Sequence, residues 1–380
     1  MKIVVAIDSL KGSLTSLEAG EAIREGILRA IPEAEVVVRP LADGGEGTVE
    51  ALTYGMGGVM EHVTVTGPLG KSVDCAYGRV PSENLAIVEM SGAAGITLVP
   101  EAERDPMNTT TYGVGEVIRD AITKGCRTFI VGIGGSATND GGIGMLQALG
   151  FGLLNEAGTQ VAYGAKGLQE LRRISTEHVI PELSDCTFRI ACDVTNPLCG
   201  SNGASAIYGP QKGATPAAIL QMDKWLGDYA ALAKETFPEA DAETPGTGAA
   251  GGLGFAFLTF LGGRLNSGTR IVLDETHLED YVKDADIVIT GEGRLDEQTV
   301  MGKAPSGVAK IAKRYGKTVI AFSGSVTEDA TACNAKGIDA FFPILRSVTT
   351  LQDAMDHDNA AHNMANTVEQ VFRLIRSCRK

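Results

Sequence analysis

Aromatic side chains are scarce in this 380-residue chain, where Phe, Trp and Tyr together make up 5%. Histidine occurs five times, with no H-E-x-x-H and no metal spacing. The seven cysteines stand singly and no C-x-x-C pair exists, so neither a zinc site nor a disulfide framework is suggested. Excess positive charge is missing as well. A formal net charge of −14 argues against a protein whose main task is to grip nucleic acid or an acidic membrane, since both need a basic face. Small anionic ligands stay open, because they need only local positive charge. No stretch reaches the roughly 18 apolar residues of a membrane span. The apolar run Ile3–Ile7 is too short for the core of a signal peptide and is followed at once by Asp8 and Lys11. A reducing cytoplasm is therefore the expected compartment.

What the chain has in quantity is glycine, 48 residues of it, within a composition that is 44% hydrophobic. That balance suits an α/β enzyme with many glycine turns, and the length allows a large core and two domains. Near the N-terminus, IVVAI reads as a buried parallel strand, Ser16 as the cap of a helix through about Ala30, EVVVRPLA as a second strand and TVEALTYGMG as a helix. The same rhythm returns near the C-terminus. Asp286–Thr290, TVIAFSG and FFPIL read as strands and Lys303–Tyr315 as a helix. A long helical tail carries Met364, Val368, Val371 and Ile375 on one face. The middle is less regular, with shorter strands in antiparallel style, then the strand RTFIVGI and the helix Ala217–Phe237. The expectation is a Rossmann-like parallel-sheet α/β domain formed from both chain ends, residues 1–65 plus 285–380. A mixed α/β domain, residues 66–284, is inserted between the halves.

Loops that follow strands in such a sheet are where ligands bind. Several here are rich in Gly, Asp, Ser and Lys: DSLKGS, ADGGEG, GIGGSATNDGG, CDVTNPL and TGEGRLDEQTVMGK. GIGGSA satisfies G-x-G-x-x-[GA], which keeps a nucleotide-dependent oxidoreductase as an alternative. The following ATNDGG, however, puts two more glycines and an acid where the helix of a dinucleotide fold should already run. Walker A is absent: Gly302-Lys303 is followed by Ala304 rather than Ser or Thr. Glycine lets successive backbone N–H groups converge on an anion, and a helix beginning after Gly141 or Gly142 would add its favourable dipole. Asp140 beside a phosphate would repel it unless a divalent cation bridges the two.

ADGGEGTVEAL, VTGPLG, IGGSATNDGG, ACDVTNPLCG, NGAS…YGPQKGA, GAAGGLG and TGEGRLDEQTVMGK, in that order, resemble the bacterial type I glycerate kinases. The resemblance covers nearly the whole chain. It implies phosphorylation of D-glycerate by ATP, with 2-phosphoglycerate favoured over 3-phosphoglycerate as product. It also implies a Mg²⁺ requirement and two α/β domains facing a cleft that holds the active site. ATP and D-glycerate would be the only partners expected, with no nucleic acid and no membrane, in a monomer or homodimer. A non-enzymatic carboxylate-binding protein is the second rival.

Such a kinase must hold a triphosphate, hold a metal, grip a carboxylate and take a proton from an alcohol. For phosphate, the candidates are Lys11, Ser13, Gly134, Gly135, Ser136, Thr138, Asn139, Gly141, Gly142, Gly291, Gly293 and Lys303. The glycine loop has an alternative as a tight strand–helix turn. Asp193, Asp43, Lys212 and Arg294 are the catalytic candidates, and Asp140, Glu46, Glu292 and Asp296 the metal candidates. Several of these have rival readings. Asp43 and Glu46 have capping-box spacing, Asp193 could close an Asx-turn with Thr195, and Arg294 could pair with Glu292 or Asp296.

Overall fold

The structure, a computed structural model, describes residues 1–42, 45 and 47–378. Among the described residues the strands are, in chain order, β1 (Lys2–Val5), β2 (Glu35–Val38), β3 (Val59–Thr66), β4 (Ser72–Val80), β5 (Leu85–Glu89), β6 (Thr128–Gly132), β7 (Gly152–Leu154), β8 (Arg173–Ser175), β9 (Thr187–Ala191), β10 (Arg264–Asn266), β11 (Ile287–Leu295), β12 (Thr318–Val326) and β13 (Ala340–Pro343). The chain divides into two units. The first comprises Met1–Asp43, Glu50–Met56 and Thr269–Lys380, the second Gly44–Val49 and Gly57–Gly268. The seams read from sequence lay near residues 65 and 285. In the structure β3 goes with the second unit, and the helices Gly268–Glu275 and Leu278–Val282 belong almost wholly to the first.

The first unit holds a sheet of order β13-β12-β11-β1-β2 whose four pairings are all parallel, with Val4 opposite Val288 and Val37. Ile3, Val4 and Val5 are fully buried, as an apolar run without alternation requires. The helix Ser16–Ala30 follows β1. Its cap is Thr15 rather than Ser16: the Thr15 side chain accepts from the Glu18 backbone, and the Glu18 carboxylate accepts from the Thr15 N–H in return. Ser16 instead donates its hydroxyl to the Ile7 carbonyl at 2.6 Å and so ties the helix start to the end of β1. The C-terminal helix His357–Cys378 covers the same face, and Met364, Val368 and Phe372 share one core with Ile3, Ile23 and Ile27. Gly26 permits this contact, because a Cβ there would stand 2.3 Å from the Ala365 carbonyl oxygen.

Counted along the sheet, the chain adds β2 on one side of β1 and then crosses to add β11, β12 and β13 on the other. The reversal falls between β1 and β11 and opens a crevice beyond their carboxyl ends. β11 is longer than its sequence suggested. TGEGRL continues the strand to Leu295, with Gly291 at the point of closest approach, where a Cβ would meet the Phe322 carbonyl oxygen at 1.8 Å.

The second unit is built on a mixed sheet of order β10-β9-β6-β5-β4-β3, antiparallel at β3/β4 and β4/β5 and parallel from β5 to β10. Among the described residues no helix is long and apolar enough to cross a membrane.

Candidate active site

In the first unit, a cavity of about 420 Å³ lies at the switch between β1 and β11. Its walls bring together Lys11 and Ser13 from the turn after β1 with Glu292, Gly293, Arg294, Asp296 and Lys303 from the end of β11 and the turn beyond it. The cluster is internally organised. Glu292 is nearly buried; its Oε1 accepts from the Thr299 hydroxyl at 2.7 Å and its Oε2 lies 3.3 Å from Lys303 Nζ. Burial pushes the Glu292 carboxyl up, and the Thr299 hydroxyl and Lys303 oppose that shift. Asp296 caps the short 3₁₀ turn Glu297–Met301 through the Gln298 and Thr299 amides, and sits 3.8 Å from Lys303 Nζ and 3.7 Å from Arg294 Nε. Arg294 keeps 65% of its side chain exposed, so its pairing leaves most of the guanidinium facing water. Gly293 has Leu10 and Lys11 backbone within 3.5 Å of a would-be Cβ, which keeps the two turns in register. Ser13 Oγ is buried without a hydrogen-bond partner in the protein.

Several cavity residues were missed at the sequence level as site members, Asp8 and Gly324 among them. Asp8, 6% exposed, stands directly after β1, where its carboxylate accepts from the Ser9 N–H at 2.7 Å. Its position in DSLKGS was the available signal. Gly324, at the end of β12, carried none.

In the second unit the glycine loop after β6 divides into two parts. Gly134 and Gly135 are exposed, whereas Ser136 through Gly142 are buried. The expected anion seat at the start of the helix Ile143–Ala148 is already taken. Asp140, with no exposure, accepts from the Thr111 N–H and hydroxyl at 2.9 Å each, from the Gly142 N–H at 3.0 Å and from the Gly144 N–H at 3.4 Å. A protein carboxylate fills the place drawn for a phosphate. Gly141 donates to the Gly251 carbonyl at 2.9 Å, and a Cβ on Gly251 would strike the Thr138 carbonyl oxygen at 2.1 Å. The GAAGGLG motif, with Ala250, Gly251 and Gly252 at φ of 52°, 68° and 94°, thus packs its backbone against the first glycine loop. Thr138, Asn139, Gly141 and Gly142, read from the sequence as phosphate contacts, are buried here, with Asn139 Nδ2 donating to Ser205 Oγ at 2.8 Å. Asp140, read from the sequence as a metal ligand, is here occupied in capping these internal donors. The same geometry is incompatible with a dinucleotide loop, whose helix N-terminus must be open to a pyrophosphate.

Lys212 is 2% exposed and donates from Nζ to Ser136 Oγ at 2.8 Å and to the Thr138 carbonyl at 2.6 Å. From there it ties the glycine loop together at Ser136 and Thr138. Burial pushes its ammonium down to about 7, with Asp140 pulling in the other direction. The unfolded chain holds this proton up to about pH 10.5. Between roughly pH 7 and 10.5 the unfolded state therefore binds more protons, and stability rises with pH. The rise in urea-unfolding stability from pH 7 to pH 10 should be smaller in Lys212→Met than in the parent chain; equal rises would show that this ammonium is not the titrating group. Asp193 is exposed just beyond β9, its Oδ1 accepting from the Gly268 N–H at 3.2 Å. Asp43 and Glu46 lie outside the described residues.

A parallel sheet of this order with acids and cations gathered at its switch point has its candidate site where α/β enzymes bind their ligands. The family model of the glycerate kinase family matches residues 3–376. The chain is 47% identical over 373 residues to the glycerate 2-kinase of Escherichia coli K12, covering 97% of this chain and 98% of that one. It is 46% identical over 375 residues to the glycerate kinase of Haemophilus influenzae, covering 99% of both. A crystal structure from Salmonella typhimurium LT2, provisionally named glycerate kinase 2, superposes with a TM-score of 0.91 at 47% identity over 100% of this chain and 99% of that one. The chain belongs to the glycerate kinase family, and it is a kinase.

Proposed function

We propose that this protein transfers the γ-phosphoryl group of ATP to the 2-hydroxyl of D-glycerate, giving 2-phosphoglycerate and ADP. The observation that carries the reading is the gathering of Lys11, Arg294 and Lys303 around one cavity at the β1/β11 switch point, in a chain whose relatives include a glycerate 2-kinase. Lys11 and Lys303 act as point charges for phosphate oxygens, and the exposed fork of Arg294 suits the charge that moves during transfer.

The donor set also fits Mg²⁺. Glu292 and Asp296 offer hard carboxylate oxygens on the cavity wall, and this ion is held by one or two carboxylates, substrate phosphates and water rather than by a protein cage. Among the described residues no three His, Cys, Asp or Glu side chains form such a cage. When bound, the ion supplies charge neutralisation on the β- and γ-phosphates. We assign the base to Asp193, the exposed carboxylate just beyond β9 of the second unit: it would take the proton of the glycerate hydroxyl as that oxygen bonds to phosphorus and the bridging oxygen departs on ADP with the bonding electrons. Lys212 acts indirectly by holding Ser136 and Thr138.

Incubation with ATP, Mg²⁺ and D-glycerate, read by phosphorus NMR, should give ADP and 2-phosphoglycerate in equal amounts. Release of 3-phosphoglycerate would overturn the choice of hydroxyl, and glycerate-independent ADP release would overturn the acceptor.

A further inference from the structure

The cavity at the β1/β11 switch has a second wall that the phosphate chemistry does not use. Opposite the charged turns stand Leu345, Leu351 and Met355, which are 39%, 76% and 39% exposed, with Ala354 between the last two. Three large apolar side chains left to water on one wall cost free energy in proportion to their exposed area, and a clustered apolar surface of this kind marks a binding site. They are held there by specific structure. Thr350 caps the short helix Leu351–Met355 by accepting from the Asp353 N–H at 3.1 Å, and Ile344 is pinned by its N–H to the Ser323 carbonyl at 2.8 Å. The wall is continuous with the charged side. The Met355 methyl would lie 2.9 Å from a Cβ on Gly12, the neighbour of Lys11, and Gly12 has a φ of +78°.

A three-carbon acid fills only a small part of about 420 Å³ and has nothing to lay on an apolar wall. A nucleoside di- or triphosphate has both parts: a flat base with apolar faces and a strongly anionic tail. We infer that Leu345, Leu351 and Met355 form the base subsite of the nucleotide, with its phosphates directed toward Lys11 and Lys303 and the unpartnered Ser13 hydroxyl. This inference rests on the kinase reading above and extends it to residues that carry no polar signal in the sequence.

The test compares ligands with and without a base. In the full chain, Leu345→Ser and Leu351→Ser together should weaken ADP binding, measured by calorimetry with Mg²⁺, by about tenfold or more, since hydrophobic contacts discriminate on that scale. Tripolyphosphate affinity and the KM for glycerate should stay within twofold of the parent. Equal affinity of parent and variant for ADP, or equal weakening of ADP and tripolyphosphate, would overturn the base subsite. A parent chain that binds ADP in this base-dependent way but forms no phosphoglycerate would leave the subsite standing and remove the proposed reaction. A parent that forms 2-phosphoglycerate with an unaltered KM for ATP in the double variant would do the reverse.

Discussion

Asp193→Asn should lower turnover with D-glycerate by about 10²- to 10⁴-fold, the range a positioned general base contributes. The substitution keeps an oxygen where Oδ1 accepts the Gly268 N–H at 3.2 Å, and the side chain is exposed, so the fold has little to lose. What disappears is the capacity to take a proton. The KM for ATP should therefore hold while kcat falls. Steady-state kinetics, with circular dichroism as a check on folding, decides the matter. A variant within threefold of the parent would take Asp193 out of the chemistry and leave it an exposed turn residue after β9.

The parts of the molecule that were legible in the sequence are those where one physical demand dominates. Ile3–Ile7 is apolar without alternation, as a strand covered on both faces requires, and its shortness together with the helix that follows made the parallel strand readable. The return of the same rhythm after residue 285 announced that both chain ends share a sheet. DSLKGS and TGEGRLDEQTVMGK were readable as site loops because small polar and charged residues without apolar partners have few structural uses at strand ends. Glycine was the ambiguous letter. It serves an anion and a crossing backbone equally well, and GIGGSATNDGG uses it in the second way from Gly141 onward, where GAAGGLG lies against it. Nothing local distinguishes the two; the deciding neighbour is more than a hundred residues away. The apolar wall formed by Leu345, Leu351 and Met355 was invisible for a related reason, since a leucine in a loop carries no mark of what it faces.

Asp140 tests that second use of glycine. Its carboxylate is the meeting point of the Thr111, Gly142 and Gly144 amides and the Thr111 hydroxyl, with the Lys212 ammonium nearby. Burial alone pushes the Asp140 carboxyl up, and those donors oppose the shift. Asp140→Ala would strand these donors inside the fold and would remove the negative charge that favours the Lys212 ammonium. Unsatisfied buried donors cost about 1–3 kcal/mol each, so the loop should give way with a loss of about 3 kcal/mol or more. The expected result is a lowered urea midpoint and fast hydrogen exchange across residues 136–148, whether or not Mg²⁺ is present. A metal ligand would behave in the opposite manner: the variant would stay as stable as its parent without the ion and would lose activity that high Mg²⁺ partly restores. Lys212→Met paired with Asp140→Ala refines the point. If the two groups compensate one another, the double variant should be less damaged than the sum of the singles, because no lone charge remains buried.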